Sequence, residues 1–280
     1  MYGTPMTNVI CQTPRPGLLE IVLNRPDAGN AFDHSMIGQI REAFLTAAGD
    51  DSVRLVMLRG AGPHFCAGGD IGWMQQVLAA SASQKRAFAQ DISLMYQAVH
   101  GLPQPLLIQV QGVAMGGGLG LVCCGDVVIA DESARFALSE ARIGIVPAAI
   151  SPYLVSAIGA RQAGQLALRG NTISAQDALR LGLVTHIASE DDNEPMLEST
   201  IKELFAGAPE AQRLSKCLFR EISVQKISDS VCTLAVDTLV KAWSQPEAIK
   251  GFDAFLNRRL PPWRNEPPHH SKETTHDSEQ

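Results

Sequence analysis

The sequence predicts an α/β protein, a mostly parallel sheet covered by helices, with a helical part at its C-terminal end. Three observations carry this reading. Apolar runs of strand length recur, each is followed by a turn or glycine-rich loop and then a helical stripe, and beyond about Glu194 the strand signals cease. Parallel strands need crossover connections, so this alternation reads as parallel sheet under helices.

LLEIVLN (Leu18 to Asn24) is the first strand, stopped by Arg25 and Pro26. From Ser35, the residues Met36, Ile37, Ile40, Phe44 and Ala47 recur at helical steps, with Asp33 or Ser35 available as N-cap. VRLVMLRG (Val53 to Gly60) is a second strand; after its loop, Phe88, Ile92, Met95 and Val99 form another helical stripe. PLLIQVQG (Pro105 to Gly112) is a third, followed by Gly116, Gly117 and Gly118, a short apolar helix and the strand DVVIA (Asp126 to Ala130). The segments LESTIKELFAGA, EAQRLSKCLFREI, DSVCTLAVDTLVKAW and PEAIKGFDAFLNRRL all carry helical periodicity. The expected division is a core over residues 1–193, a helical part over 194–263 and a disordered tail over 264–280, whose His269, His270 and His276 are read as solvated.

Composition excludes several function classes. Apolar residues make up 45% of the 280 and charged ones 19%, a globular balance. With a net charge of −6 and no basic run longer than a pair such as Arg258–Arg259, a nucleic-acid binder is not expected. No stretch approaches a membrane span and the start lacks a targeting pattern, so a cytoplasmic protein is expected. The six cysteines show no metal-ligand spacing, and most are expected to be buried apolar groups. Neither a metal nor a separate cofactor is implied.

GAGPHFCAGGDI (Gly60 to Ile71) and QGVAMGGGLG (Gln111 to Gly120) each follow a strand, the end of α/β sheets at which ligands bind. Glycine permits close approach of the main chain, so successive N–H groups can face one concavity. The bland alternative is that these glycines only make tight turns. Neither loop has the Gly-Lys-Ser/Thr of a phosphate loop or the G-x-G-x-x-G of a dinucleotide site, which leaves a pair of donors for a developing oxyanion.

LNRPDAGNAF, HFCAGGDI, VQGVAMGGGLGL, DVVIA, ALSEARIGIVPA and GFDAFLNRRLPPW together resemble, in order and spacing over residues of about 15 to 263, the enoyl-CoA hydratase/isomerase (crotonase) family. The resemblance implies a spiral of ββα units with a C-terminal helical trimerisation domain, assembled as a homo-trimer or a hexamer of two trimers. It implies a coenzyme A thioester as substrate, so that coenzyme A enters with the acyl chain. By matched positions the N–H groups of Ala67 and Gly117 form the oxyanion hole, Ala67, Gly68, Gly69 and Asp70 line the coenzyme A side, and Glu140 is the catalytic carboxylate. Ile71, Met115, Pro147 and Ala148 are added as substrate-lining positions. Arg25 is a candidate for the coenzyme A phosphates or a plain surface charge, and Trp73 and Met74 either wall the acyl pocket or belong to the core at a helix start. His64 is read as a hydrogen-bonded loop residue.

The family's ordinary hydratases use two glutamates, and the first position here is Gly120. A lone Glu140 can still deliver water and return a proton if burial raises its pKa. It can equally move a proton along an acyl chain. SEARIGIVPAAISPYLVSAIGARQA with GGGLGL resembles the branch of methylglutaconyl-CoA and isohexenylglutaconyl-CoA hydratases, which makes hydration of a branched glutaconyl-type 2-enoyl-CoA the expected reaction. Arg142 is either the partner of that second carboxylate or a structural cation. The competing expectations are a Δ3,Δ2-enoyl-CoA isomerase and a non-catalytic acyl-CoA-binding scaffold.

Overall fold

A computed structural model describes residues 8–223 and 228–264. Arg264, the first residue of the expected tail, closes a 3-10 turn (Pro262–Arg264), and residues 265–280 with the three histidines lie outside the described residues.

The main sheet contains β1 (Val9–Arg15), β2 (Leu18–Leu23), β3 (Leu55–Gly60), β4 (Leu106–Val110), β6 (Val127–Asp131) and β9 (His186–Ala188), in the order β1-β2-β3-β4-β6-β9. Only the β1–β2 pair is antiparallel; the others are parallel. All of β2 is buried, which explains why its sequence is apolar without alternation. The one acid within it, Glu20, is 5% exposed and is bound on the sheet face by Arg59 and Gln12.

A second sheet, which the sequence did not disclose, joins β5 (Val113–Met115), β7 (Arg135–Ala137) and β8 (Ile173–Ser174). Its strands are two or three residues long, too short to carry a period. β1 was hidden for a different reason, since VICQTPR is polar in its second half.

One face of the main sheet carries the larger core. α1 (His34–Ala48) buries Met36, Ile37, Ile40, Phe44 and Ala47 there, and its N-cap is Asp33, whose side chain accepts from the Met36 N–H. α2 (Ile71–Ala79) and α3 (Ala82–His100) follow β3, and α3 buries Met95, Tyr96 and Val99. The two helices meet at a tight junction, where Ser81 and Gln84 form a reciprocal capping box. α4 (Gly117–Val122), α5 (Ser151–Arg169) and α6 (Ala175–Leu181) complete the core. On the opposite face Leu197 and Ile201 of α7 (Asn193–Ala206) cover Leu18, Leu55, Met57, Leu107 and Ile129.

Three further α-helices follow among the described residues, α8 (Pro209–Ile222), α9 (Asp229–Trp243) and α10 (Pro246–Leu256). They leave Phe219, Trp243, Phe252 and Phe255 largely exposed. Cys66 and Cys124 are buried, but Cys217 and Cys232 on these helices are exposed, against the expectation that most cysteines are interior. No helix among the described residues is long and apolar enough to cross a membrane.

Candidate active site

The site is assembled from the turn after β2 outward. Asn30 is fully buried with φ of 56°, and its amide is the hub: Oδ1 accepts from the Arg25 N–H at 2.7 Å, while Nδ2 donates to Ala61 O at 2.9 Å and His64 O at 2.7 Å. Those bonds tie the turn to the loop after β3. Sequence reasoning passed over Asn30, although a Gly-Asn pair in a turn is a signal for left-handed backbone.

The loop after β3 then runs in extended form beside two partners. The Phe32 N–H donates to Gly68 O and the Asp70 N–H to Phe32 O, both at 2.8 Å, a parallel bridge between Phe32 and Gly69. The Cys66 N–H donates to Val113 O at 3.0 Å and the Met115 N–H to Cys66 O at 2.9 Å, which joins this loop to the one after β4.

This register corrects one expected donor. The Ala67 N–H is already spent on Gly29 O at 2.9 Å, so it does not face a ligand. Gly69, flanked by the two bonds of the Phe32 bridge, has an N–H that meets no acceptor among the described residues. The same holds for the Gly117 N–H, the first of α4, where the helix end leaves donors unpaired. The expected Ala67 N–H is thus engaged within the protein, while the N–H of Gly69 in the same loop is open.

Glu140 opens a 3-10 turn (Glu140–Ile143) that follows β7. A Cβ placed on Gly116 would lie 3.1 Å from Glu140 Oε1 and 3.9 Å from Gly68 Cα, so both loops and this carboxylate converge on one glycine. Glu140 Oε2 is buried with no hydrogen-bond partner among the described residues. Burial pushes the carboxyl above its ordinary range, with its own backbone N–H pulling weakly the other way.

The place of a first carboxylate is filled by other groups. A Cβ on Gly120 would lie 2.4 Å from Ile150 Cγ2 and 2.7 Å from Tyr96 Oη. Gly120→Ala is therefore expected to cost about 1–3 kcal/mol by overpacking, visible as a lowered Tm; an unchanged Tm would mean that Ile150 and Tyr96 yield freely. Neither Tyr96 nor Ile150 was singled out from the sequence for this role.

The remaining expected residues divide. Gly68, with φ of 105°, packs on Met115, and Met74 Sδ lies 2.9 Å from the position of a Cβ on Gly69, so these positions gather at the loop pair. Asp70 caps α2 by accepting from the Trp73 N–H at 3.0 Å; that bond, and then Arg25, hold its carboxyl below the usual range. Trp73 stands edge-on to Phe88, with its indole N–H buried and unpartnered among the described residues. Ile71 is largely exposed at the start of α2. Pro147 and Ala148 lead into α5, their carbonyls accepting from Ser151.

Arg25 is not a loose cation. It donates to Ala31 O and to Asp70 Oδ2 and lies 3.4 Å from Asp33. Arg142 lays its stem against Gly170 and donates from its guanidinium to Arg169 O at 3.3 Å. His64 accepts from Asn30 through its carbonyl, but its ring Nδ1, against Gly112, is buried with no hydrogen-bond partner among the described residues, unlike the hydrogen-bonded side chain expected. Among the described residues no group of three or more His, Cys, Asp or Glu side chains is placed to hold a metal ion.

Comparisons with known proteins bear on the family and the fold. The family described as enoyl-CoA hydratase/isomerase matches residues 14–266. The chain is 29% identical to a crotonyl-CoA hydratase of Syntrophomonas wolfei over 86% of this chain and 92% of that one. Among solved structures, Pseudomonas aeruginosa AtuE is 37% identical with a TM-score of 0.88, covering 92% of this chain and 100% of that chain. An enoyl-CoA hydratase from Shewanella pealeana is 31% identical with a TM-score of 0.88, covering 92% and 96%. With the family match spanning residues 14–266 and the fold shared with these solved structures, the chain belongs to the enoyl-CoA hydratase/isomerase, or crotonase, family.

Proposed function

We propose that the protein adds water across the double bond of a 2-enoyl-CoA thioester, with the Gly69 and Gly117 N–H groups holding the thioester oxygen and Glu140 moving the proton. The observation that carries this reading is the convergence on Gly116 of both loops and the Glu140 carboxylate, whose Oε2 is buried with no hydrogen-bond partner among the described residues. Glu140 takes a proton from water as the water oxygen bonds to C3. The electrons of the C2–C3 bond move to the thioester oxygen, and the enolate then recovers the proton at C2 from Glu140. A carboxyl raised toward neutrality suits both halves of this exchange. One oxyanion donor is worth about 2.7–4 kcal/mol in acyl transfer.

The finer reading is a branched glutaconyl-type acyl chain, and it rests on the segment from Ser139 to Ala163 with the glycine run. Arg142, engaged with Arg169, lends it no support. The exposed apolar residues of α9 and α10 support assembly as a homo-trimer or a hexamer.

One observation favours a second reading. With Tyr96 and Ile150 occupying the space above Gly120, the site offers a single carboxylate, which is sufficient for Δ3,Δ2 isomerisation. A panel of crotonyl-CoA, 3-methylglutaconyl-CoA and a 3-enoyl-CoA separates the two. Hydration consumes the enoyl-thioester absorbance and isomerisation creates it. Consumption with 3-methylglutaconyl-CoA fastest is the expected result; acyl-CoA binding without turnover on any of the three would sink the enzymatic reading.

A further inference from the structure

We infer that Tyr96 is a positioning residue for the oxyanion donor at Gly117, an inference that rests on the function proposed above. Tyr96 lies on α3, is fully buried and donates its hydroxyl to Gly117 O at 2.7 Å. Among the described residues it is the one side chain that hydrogen-bonds to any of Gly116, Gly117 or Gly118.

Those glycines need such an anchor. Gly116 is held through its N–H to Ala137 O at 2.9 Å and through its carbonyl, which accepts from Gly120 at 3.1 Å. Gly117 has no side chain to fix its own torsions, yet its N–H must point at a developing charge. Beyond the backbone of α4, Tyr96 adds a side-chain constraint on the far side of that residue, and the Phe32 ring closes the near side, 2.7 Å from where a Gly117 Cβ would stand. The absence of a side chain at Gly120 is what makes room: Tyr96 Oη lies 2.7 Å from the place of its Cβ. In this chain the space of a first carboxylate is thus used to hold the oxyanion donor.

Tyr96 stays protonated at any working pH, because burial, and then Cys66, Cys124, Cys123 and Glu140 facing it, push its phenol well above the usual value. The hydrogen bond is therefore a constant of the site, and its loss has a distinctive signature. In the full chain, Tyr96→Phe is expected to lower kcat by about tenfold, by the same factor across the pH range, with KM within about twofold of the parent. Acetoacetyl-CoA, a thioester that ionises to an enolate with its own absorbance, is the probe of the donor itself; its bound enolate fraction is expected to fall in Tyr96→Phe while affinity for a saturated acyl-CoA holds.

Ile150→Val loosens the same packing without touching the bond, so it is expected to lower Tm and leave the enolate fraction unchanged. An unaltered enolate fraction in Tyr96→Phe, or an equal loss in Ile150→Val, would overturn the inference. If Tyr96→Phe does not fold, 3-fluorotyrosine in place of tyrosine strengthens the donor and is expected to raise the enolate fraction; no rise overturns the inference equally. A parent protein that ionises acetoacetyl-CoA but turns over no enoyl-CoA would sink the hydratase reading while the Tyr96 comparison is still read on ionisation. A parent that does neither overturns both.

Discussion

Glu140→Gln is expected to lower turnover by about 10²–10⁴-fold and to leave the fold as stable as the parent or more so. The two halves of this expectation have one cause. Glu140 Oε2 is buried without a hydrogen-bond partner among the described residues, so ionisation costs more in the folded chain than in the unfolded one, and burial raises the folded pKa. Between the ordinary carboxylate pKa and that raised value, the folded chain holds a proton that the unfolded chain has released. Stability therefore declines as pH rises through this window and stays lower above it. The neutral amide removes that cost along with the proton carrier. Activity runs the opposite way, since the base form of Glu140 is lost as pH falls through the raised pKa, and the acid limb of kcat/KM should lie above the usual carboxylate range. Steady-state kinetics and thermal melts over the same pH series check both. A Gln variant that keeps its turnover would remove Glu140 from the chemistry, and one that is active but unstable would mean that its carboxylate is structural.

The legibility of this site in the sequence followed the distance between the residues that decide each feature. Glu140, the triple glycine and the loop ending at Asp70 are local words, and each was readable with its strand. Which N–H of that loop is free was not, because Gly29 takes the Ala67 N–H and the bridge to Phe32 sets the register around Gly69. Those partners lie on another turn, and a register has no composition. Gly120 was likewise legible as the loss of a carboxylate, but what occupies the space comes from α3 and from the entry to α5. The large sheet announced itself through buried apolar runs, whereas the small sheet of β5, β7 and β8 is made of strands too short for alternation to register. Arg25 reads in the sequence as a cation for the coenzyme A phosphates or for solvent, because its two acidic partners, Asp33 and Asp70, are separated from it in the chain.

Gly112→Ala should show how strongly the pair of loops depends on close backbone approach. Gly112 has φ of 60°, and a Cβ there would lie 2.0 Å from Pro63 O and 2.4 Å from His64 Nδ1. A left-handed non-glycine residue costs about 1–2 kcal/mol and overpacking about 1–3 kcal/mol. At roughly 2–4 °C per kcal/mol for a chain of this size, Tm should drop by at least about 4 °C. Gly182→Ala separates the two contributions, because Gly182 has φ of 83° with nothing nearer than 3.9 Å to its added methyl. It should show the backbone cost alone. The obstacle at Gly112 is a main-chain carbonyl, which no rotamer change relieves, so Pro63 and His64 must move. His64 O is held by Asn30 and the Phe65 N–H by Gln111 O, and a shift there travels along the extended loop toward Gly69. Gly112→Ala should therefore lose activity beyond its loss of folded protein, as kcat per folded molecule, while Gly182→Ala keeps it. Equal melting temperatures for the two variants would show that the loops are loosely joined and that the alignment of Gly69 with Gly117 does not depend on this contact.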